Sequence, residues 1–323
     1  MSKHTLADEL ESTAEDIAEM EVRGAATIAD AAATALREQA ETSSAGRPEA
    51  FRREMRAAAR RLVETRPTAV SLPNALRYVL GDMEGETVDE LRESAVDSAR
   101  EFCARLERAQ DDLGRIGANR IRDGDAVMFH CHSTDALSCV DHAVNEQDKH
   151  IEAIVKETRP RKQGHITARQ LRDWDVPVTL IVDNAAHRYL DDADHVLVGA
   201  DSIAADGSVI NKIGTAGLAV SARERGVPIM VAAQTIKLHP DTMTGNTVEI
   251  EYRDEAEVVD DGTRSDLGDP AVQNPAFDVT PPRHVDAIVT ERGQFPPESI
   301  VVLLRELFGE TTGTPWAEDE AER

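Results

Sequence analysis

A cysteine stands between two histidines in His130-Cys131-His132-Ser133, directly after the apolar run Ala126–Phe129. A thiol at such a strand end could act as a nucleophile, a general base or a metal ligand, or be a buried structural cysteine. Adjacent residues of a strand point to opposite faces, so His130 and His132 can share a face that Cys131 cannot join, which weakens the metal reading. A second candidate, Gly199-Ala200-Asp201-Ser202, follows Val196–Val198. A carboxylate placed there is costly to bury unpaired, so Asp201 either caps the next element or serves as an acid with a raised pKa. Next comes Asn211-Lys212-Ile213-Gly214-Thr215, ahead of the helical run Ala216–Arg225. A helix start of this kind offers backbone N–H groups to an anion, although the P-loop spacing is absent. Lys237 lies just past another apolar run, in Gln234-Thr235-Ile236-Lys237-Leu238-His239-Pro240. Nearer the amino terminus, Arg23-Gly24-Ala25-Ala26 puts a cation before small residues at a helix start, and Arg66 opens the rigid turn Arg66-Pro67-Thr68. Both could receive a phosphate, and both could be plain packing.

The elements that must position these groups fall into two textures. From Leu6 to about Ile116 the chain reads as helices. The first carries Leu6, Leu10, Ile17 and Met20 at near-helical spacing, and the next three are Ala25–Gln39, Phe51–Glu64 and one from near Ser71 with Pro73 in its first turn. The fifth spans Val88 to Ile116, with Leu91, Ala95, Ala99, Phe102, Leu106 and Leu113 on one stripe. After Gly117, short apolar runs alternate with helical stretches: Ala126–Phe129, Ile151–Val155, Val178–Val182, Val196–Val198, Ile229–Ala233 and Ala287–Val289. Their lack of period-two alternation marks buried parallel strands, and the alternation with helices implies a doubly wound open sheet. The fold expected is α/β: an all-helical domain over 1–118 and a Rossmann-like domain over 119–323. In such a sheet a ligand sits at the carboxyl ends of the strands, where Cys131, Asp201 and Lys237 all fall. Residues 240–284 are acidic and poor in apolar runs, and read as a long excursion before the last strand.

Composition narrows the partners. The chain has 323 residues, 61 acidic against 36 basic, for a net charge of -25. That surface repels nucleic acid and anionic membranes, so a phosphate ligand needs locally concentrated cations. Only six of the basic residues are lysines (Lys3, Lys149, Lys156, Lys162, Lys212 and Lys237). High acid content with few lysines reads as adaptation to molar salt, where the Debye length shrinks to about 3 Å. Four of the six lie between the second strand and the end of the fifth, in a chain that otherwise uses arginine. The three cysteines make no disulfide framework, and neither a secretory signal core nor an apolar run of about 18 residues is present. A cytoplasmic, soluble protein is expected.

Taken in order, Arg23–Ala26, Glu64–Tyr78, Asp125–Ser133, Glu157–Leu171, Gly199–Thr215, Lys237–Pro240, Asn274–Pro282 and Thr290–Gly293 resemble the ribose 1,5-bisphosphate isomerases of archaea. These belong to a superfamily with the methylthioribose 1-phosphate isomerases and the regulatory subunits of initiation factor 2B. The resemblance spans about Leu6 to Phe308. It implies a homo-oligomer, dimer or hexamer, without cofactor or metal. It also implies conversion of α-D-ribose 1,5-bisphosphate to ribulose 1,5-bisphosphate through a phosphoenolate, a step that passes nucleoside-derived ribose towards the Rubisco substrate. By position it makes Cys131 the proton acceptor and Asp201 the proton donor. Substrate contacts fall on Arg23, Gly24, Ala25, Ala26, Arg66, Ser133, Thr134, Asp135, Asn211, Lys212 and Lys237. Acid–base chemistry then asks for a thiolate at Cys131, its pKa lowered by nearby cations such as Lys212, and for an Asp201 kept protonated by desolvation in the closed site. Asp135 departs from the family's pattern of smaller or basic side chains, and an anion beside a phosphate would have to point away. The alternatives are a methylthioribose 1-phosphate isomerase and a non-catalytic regulatory subunit, and the presence of both Cys131 and Asp201 favours an enzyme.

Overall fold

The computed structural model describes residues 6–22, 24–81, 83–309 and 313–317. They divide into two compact units, one comprising residues up to Arg108 together with the segment from Thr311, the other Ala109–Glu310.

The first unit is helical. It holds α1 (Asp8–Ala18), α2 (Ala25–Thr42), α3 (Pro48–Val63), α4 (Ser71–Gly81) and the first part of α5 (Val88–Ala118). Each apolar stripe foreseen from spacing becomes a buried face, with Leu10, Ile17, Ile28, Leu36, Phe51, Met55, Leu62, Leu72 and Leu76 all withdrawn from solvent. The alanines of α2 let it pack closely on α4, α1 and α3. Gln39 is among the polar groups buried in this core: it accepts from Ala7 N–H at 2.8 Å and donates to Glu54 at 2.6 Å, so its amide is satisfied.

In the second unit the strands and helices alternate as β1 (Ala126–Phe129), α6 (Thr134–Asp141), β2 (Glu152–Lys156), α7 (Gly164–Asp173), β3 (Val178–Ile181), α8 (Ala186–Tyr189) and β4 (His195–Val198). Then come β5 (Ser202–Ile203), β6 (Val209–Lys212), α9 (Thr215–Arg225), β7 (Ile229–Ala232), α10 (Asp261–Asp266), β8 (Phe277–Thr280), β9 (Ala287–Thr290), β10 (Gly293–Phe295) and α11 (Ile300–Phe308). The main sheet runs β10-β9-β7-β4-β1-β2-β3, parallel except for β10. All six apolar runs read as strands are its parallel members. β4, β7 and β9 are buried along their whole length, which is why they show no alternation.

The acidic stretch 240–284 is more than an excursion. It returns as β8, which pairs antiparallel with β6, and with β5 they form a separate three-stranded sheet in the order β5-β6-β8. These strands of two to four residues lie between polar segments and carry too little apolar pattern to stand out in sequence.

Candidate functional site

The chain leaves β1 and turns sharply before α6. Cys131 sits in that turn with φ +70, a left-handed conformation that side chains other than glycine adopt at a cost. Ser133 then caps α6, its Oγ accepting from Ala136 N–H at 3.2 Å. Gly199, at the end of neighbouring β4, faces this cap. A Cβ there would fall inside the van der Waals radius of the Ser133 side chain, so β4 must end in glycine.

The small sheet brings the second and third candidates together. Asp201 N–H donates to Ile210 O at 2.9 Å, continuing the β5–β6 hairpin, and its carboxylate is within range of the Lys212 charge. Lys212 pairs in register with Phe277 of β8, its ammonium 4.9 Å from that ring centre, and donates to Ala276 O at 3.2 Å. Asn211 donates to Thr215 at 3.0 Å, and Thr215 in turn donates to Lys212 O at 2.6 Å. Cys131, Asp201 and Lys212 are close enough for each to feel the others' charge.

The electrostatics differ from expectation at the thiol. Burial pushes Cys131 up to about 11, and the nearby cations Lys212 and Arg253 offset this only in part, while Asp201 adds to it. The ligand-free thiol is therefore protonated at neutral pH, not a thiolate. Burial also pulls Lys212 below the usual lysine range. Asp201 is exposed in this structure.

One expected anion seat also turns out differently. At the start of α9 the N–H groups of Gly214 and Ala216 donate to the Asp278 carboxylate at 2.7 and 3.1 Å. The helix terminus is thus neutralised by the chain's own β8, which excludes a phosphate from those two N–H groups. At the start of α2, Gly24 has φ +91 and the helix has neither a side-chain cap nor an acid in its first turn, which Ala25 and Ala26 open. Arg23 lies outside the described residues. Arg66 opens a turn after α3, where Ala69 N–H donates to its carbonyl at 3.0 Å.

Asp135 and Lys237, both expected near substrate, are paired with one another. Lys237 Nζ lies 2.7 Å from Asp135, whose carboxylate also accepts from Gln234 N–H at 3.1 Å and Gln234 Nε2 at 2.9 Å. Asp135 is 1% exposed. The departure from the family pattern is accommodated as a buried ion pair tying α6 to the end of β7. Thr134, beside it in the first turn of α6, is exposed.

Three charged residues were not named as site residues, although Lys156 is one of the four clustered lysines singled out above. Lys156 ends β2 with only 3% exposure, and its charge helps push buried His130 down to about 4. Its place at a strand's carboxyl end could have selected it. Arg253, held beside the site by its N–H to Asn274 O at 2.9 Å, depresses both Cys131 and Lys212. Asp278 caps α9. The last two lie in the acidic stretch, whose sequence carries no mark of them.

The profile of the Initiation factor 2 subunit family matches residues 21–297. The chain is 75% identical over 310 residues to a protein of Haloferax volcanii named ribose 1,5-bisphosphate isomerase, covering 96% of each chain. It is 72% identical to one of the same name from Haloterrigena turkmenica, with 94% of this chain and 95% of the other covered. Among solved structures it resembles the translation initiation factor eIF-2B of Pyrococcus horikoshii OT3 (TM-score 0.78, 29% identity, 92% of this chain and 100% of that one). It also resembles the 5-methylthioribose 1-phosphate isomerase of the same organism (TM-score 0.75, 33% identity, 92% and 88% covered). The chain belongs to the Initiation factor 2 subunit family.

Proposed function

We propose that this protein interconverts α-D-ribose 1,5-bisphosphate and D-ribulose 1,5-bisphosphate, with Cys131 and Asp201 moving the protons. The observation that carries the reading is the meeting of a thiol and a carboxylate from the ends of β1 and β4 at one lysine, Lys212. The 75% identity to a haloarchaeal protein of that name supports the substrate.

The chemistry balances without a cofactor. The thiolate of Cys131 takes the proton from C2 as the C1–ring-oxygen bond breaks, and Asp201 gives the ring oxygen its proton, leaving an open-chain phosphoenolate. The Cys131 thiol then returns the proton to C1, and the 2-hydroxyl gives its own proton to the Asp201 carboxylate, forming the ketone and restoring the acid. Lys212 and Arg253 favour the thiolate during the step, and a bound substrate that covers Asp201 supplies the desolvation its acid role needs. Gly24, Ala25, Ala26, Arg66, Ser133, Asn211 and Lys212 are the contacts proposed for the sugar bisphosphate. Arg23 joins them on resemblance alone.

Assay of the purified protein on ribose 1,5-bisphosphate, ribose 1-phosphate and methylthioribose 1-phosphate tests this. Turnover of the bisphosphate with a much lower kcat for ribose 1-phosphate is expected, because binding energy from the far phosphate is used at the reacting centre. Equal kcat/KM for the two ribose phosphates would overturn the bisphosphate assignment. Preference for the thioether sugar would move the protein to the second isomerase reading, and inactivity on all three would return it to the regulatory one.

A further inference from the structure

Cys131 occupies its left-handed turn with both its backbone polar groups held by hydroxyls from a neighbouring segment. Its N–H donates to Thr158 Oγ1 at 2.9 Å, and its carbonyl accepts from Thr167 Oγ1 at 2.9 Å. Both threonines are buried, at 0% and 1% exposure. Thr158 is itself in a left-handed conformation, φ +63, an outlier for a β-branched residue. That turn is pinned from beyond: Asp183 accepts from Thr158 N–H at 2.9 Å and Arg159 N–H at 2.7 Å, and Thr158 donates to Lys156 O at 3.1 Å. Thr167, on the first turns of α7, spends its proton on the Cys131 carbonyl. Its oxygen is left to accept from His132 Nδ1 at 3.1 Å, which fixes the adjacent residue as well. Gly164 at the start of α7 has no room for a Cβ, which would overlap Lys156 O, so α7 is pressed against the end of β2.

Two strained residues linked by a hydrogen bond, each fixed again from its far side, is more than stability requires of a strand-to-helix turn. A relaxed turn would satisfy the same N–H and C=O with water or with the helix. We propose that Thr158 and Thr167 are positioning residues that clamp the backbone of Cys131 in its left-handed turn and thereby hold the thiol towards Lys212 and Asp201. This rests on the proton-transfer reading of Cys131 for its effect on rate, but not for its effect on the thiol itself. Valine at either position keeps the shape and removes the hydroxyl. The backbone group of Cys131 loses its partner, the turn relaxes, and the thiol leaves its aim while the substrate contacts stay. A displacement of about 1 Å is worth about 10²-fold in rate.

The test compares Thr158→Val, Thr167→Val, Thr167→Ala and Thr167→Ser, each in a Cys103→Ser, Cys139→Ser background so that iodoacetamide reports Cys131 alone. kcat and KM are measured on ribose 1,5-bisphosphate, and alkylation of the Cys131 peptide is followed by mass spectrometry from pH 7 to 11. The Val and Ala variants should lose about 10²-fold in kcat with KM little changed. The pH midpoint of alkylation should fall, since a loosened turn lets water reach a thiol that burial now keeps protonated. Thr167→Ser should restore both. Val and Ala variants with wild-type kcat and an unmoved alkylation profile, or a Ser variant as impaired as Ala, would overturn the clamp. If Thr158→Val does not fold, the three Thr167 variants decide. Should Cys131→Ser turn over normally, the proton-transfer reading has failed on its own, and the alkylation profile still tests the clamp.

Discussion

At the residue scale the site is governed by burial more than by charge pairing. Cys131 has two cations near it, yet burial leaves its thiol at about 11. Alkylation of Cys131 in the ligand-free protein should therefore keep rising with pH beyond 9, and a plateau near pH 8 would contradict the environment described. His130 carries a second consequence. Its ring donates from Nε2 to Ile213 O at 2.9 Å, and burial lowers its pKa from 6.5 to about 4. Above pH 6.5 the ring is neutral in both folded and unfolded chains, and its contribution is fully present. As pH falls from 6.5 towards 4 the unfolded chain takes the proton and the folded one does not, so stability is lost. The difference amounts to about 3 kcal/mol. Urea unfolding at pH 7 and pH 4.5 should show a smaller drop for His130→Gln than for the wild type, while equal drops would mean that this ring does not carry the pH dependence. Of these residues, Cys131, Asp201 and Lys212 were legible because thiols, strand-end carboxylates and scarce lysines stand out. Thr158, Thr167 and Asp278 were not, because a threonine or an aspartate in a polar stretch looks the same whether it caps, clamps or is merely solvated.

Elements were legible wherever an apolar period was long enough to read. The five helices of the first unit and the six parallel strands of the second match their apolar runs to within a few residues. The β5-β6-β8 sheet did not announce itself, and it is the element that gathers the site: it carries Asp201 to Lys212 and brings Asp278 to the start of α9. The expected phosphate seat at α9 was a reasonable inference from Gly214 and Thr215 that long-range pairing overrode. Asp278→Ala should destabilise the protein by about 1 kcal/mol through loss of that cap, read as a lowered Tm, with Asp278→Asn less affected. An unchanged Tm for the alanine variant would remove the cap from the description. Gly199→Ala should do more harm, since its methyl group has to displace Ser133 and with it the start of α6. A Gly199→Ala protein as stable and active as the wild type would show that β4 and α6 have slack not evident here.

For the molecule as a whole, a net charge of -25 acts on every element at once. Self-repulsion is screened in molar salt, where the Debye length is about 3 Å, and largely unscreened in dilute buffer. Circular dichroism and gel filtration between 0.1 and 2 M KCl, set against the roughly 10 Å screening length of 0.1 M salt, should show a fold that loosens and a hydrodynamic size that changes at the low end. Equal stability and size throughout would refute adaptation to salt. Edge strand β3 leaves Leu180 exposed, and Ile166 on α7 is exposed as well, so apolar surface remains on the second unit. The proposed proton transfer asks the most of the second unit, since it needs a thiol from the end of β1, a carboxylate from the end of β4 and a lysine from β6 in a single site. The direct measurement is turnover of ribose 1,5-bisphosphate by Cys131→Ser and Asp201→Asn beside Cys103→Ser and Cys139→Ser, with calorimetric substrate binding as the control for folding. The first pair should each fall by about 10²–10⁴-fold while still binding substrate, and the second pair should turn over as the wild type does. Near-normal turnover by Cys131→Ser would contradict proton transfer through this thiol and leave His130 or His132 as the base.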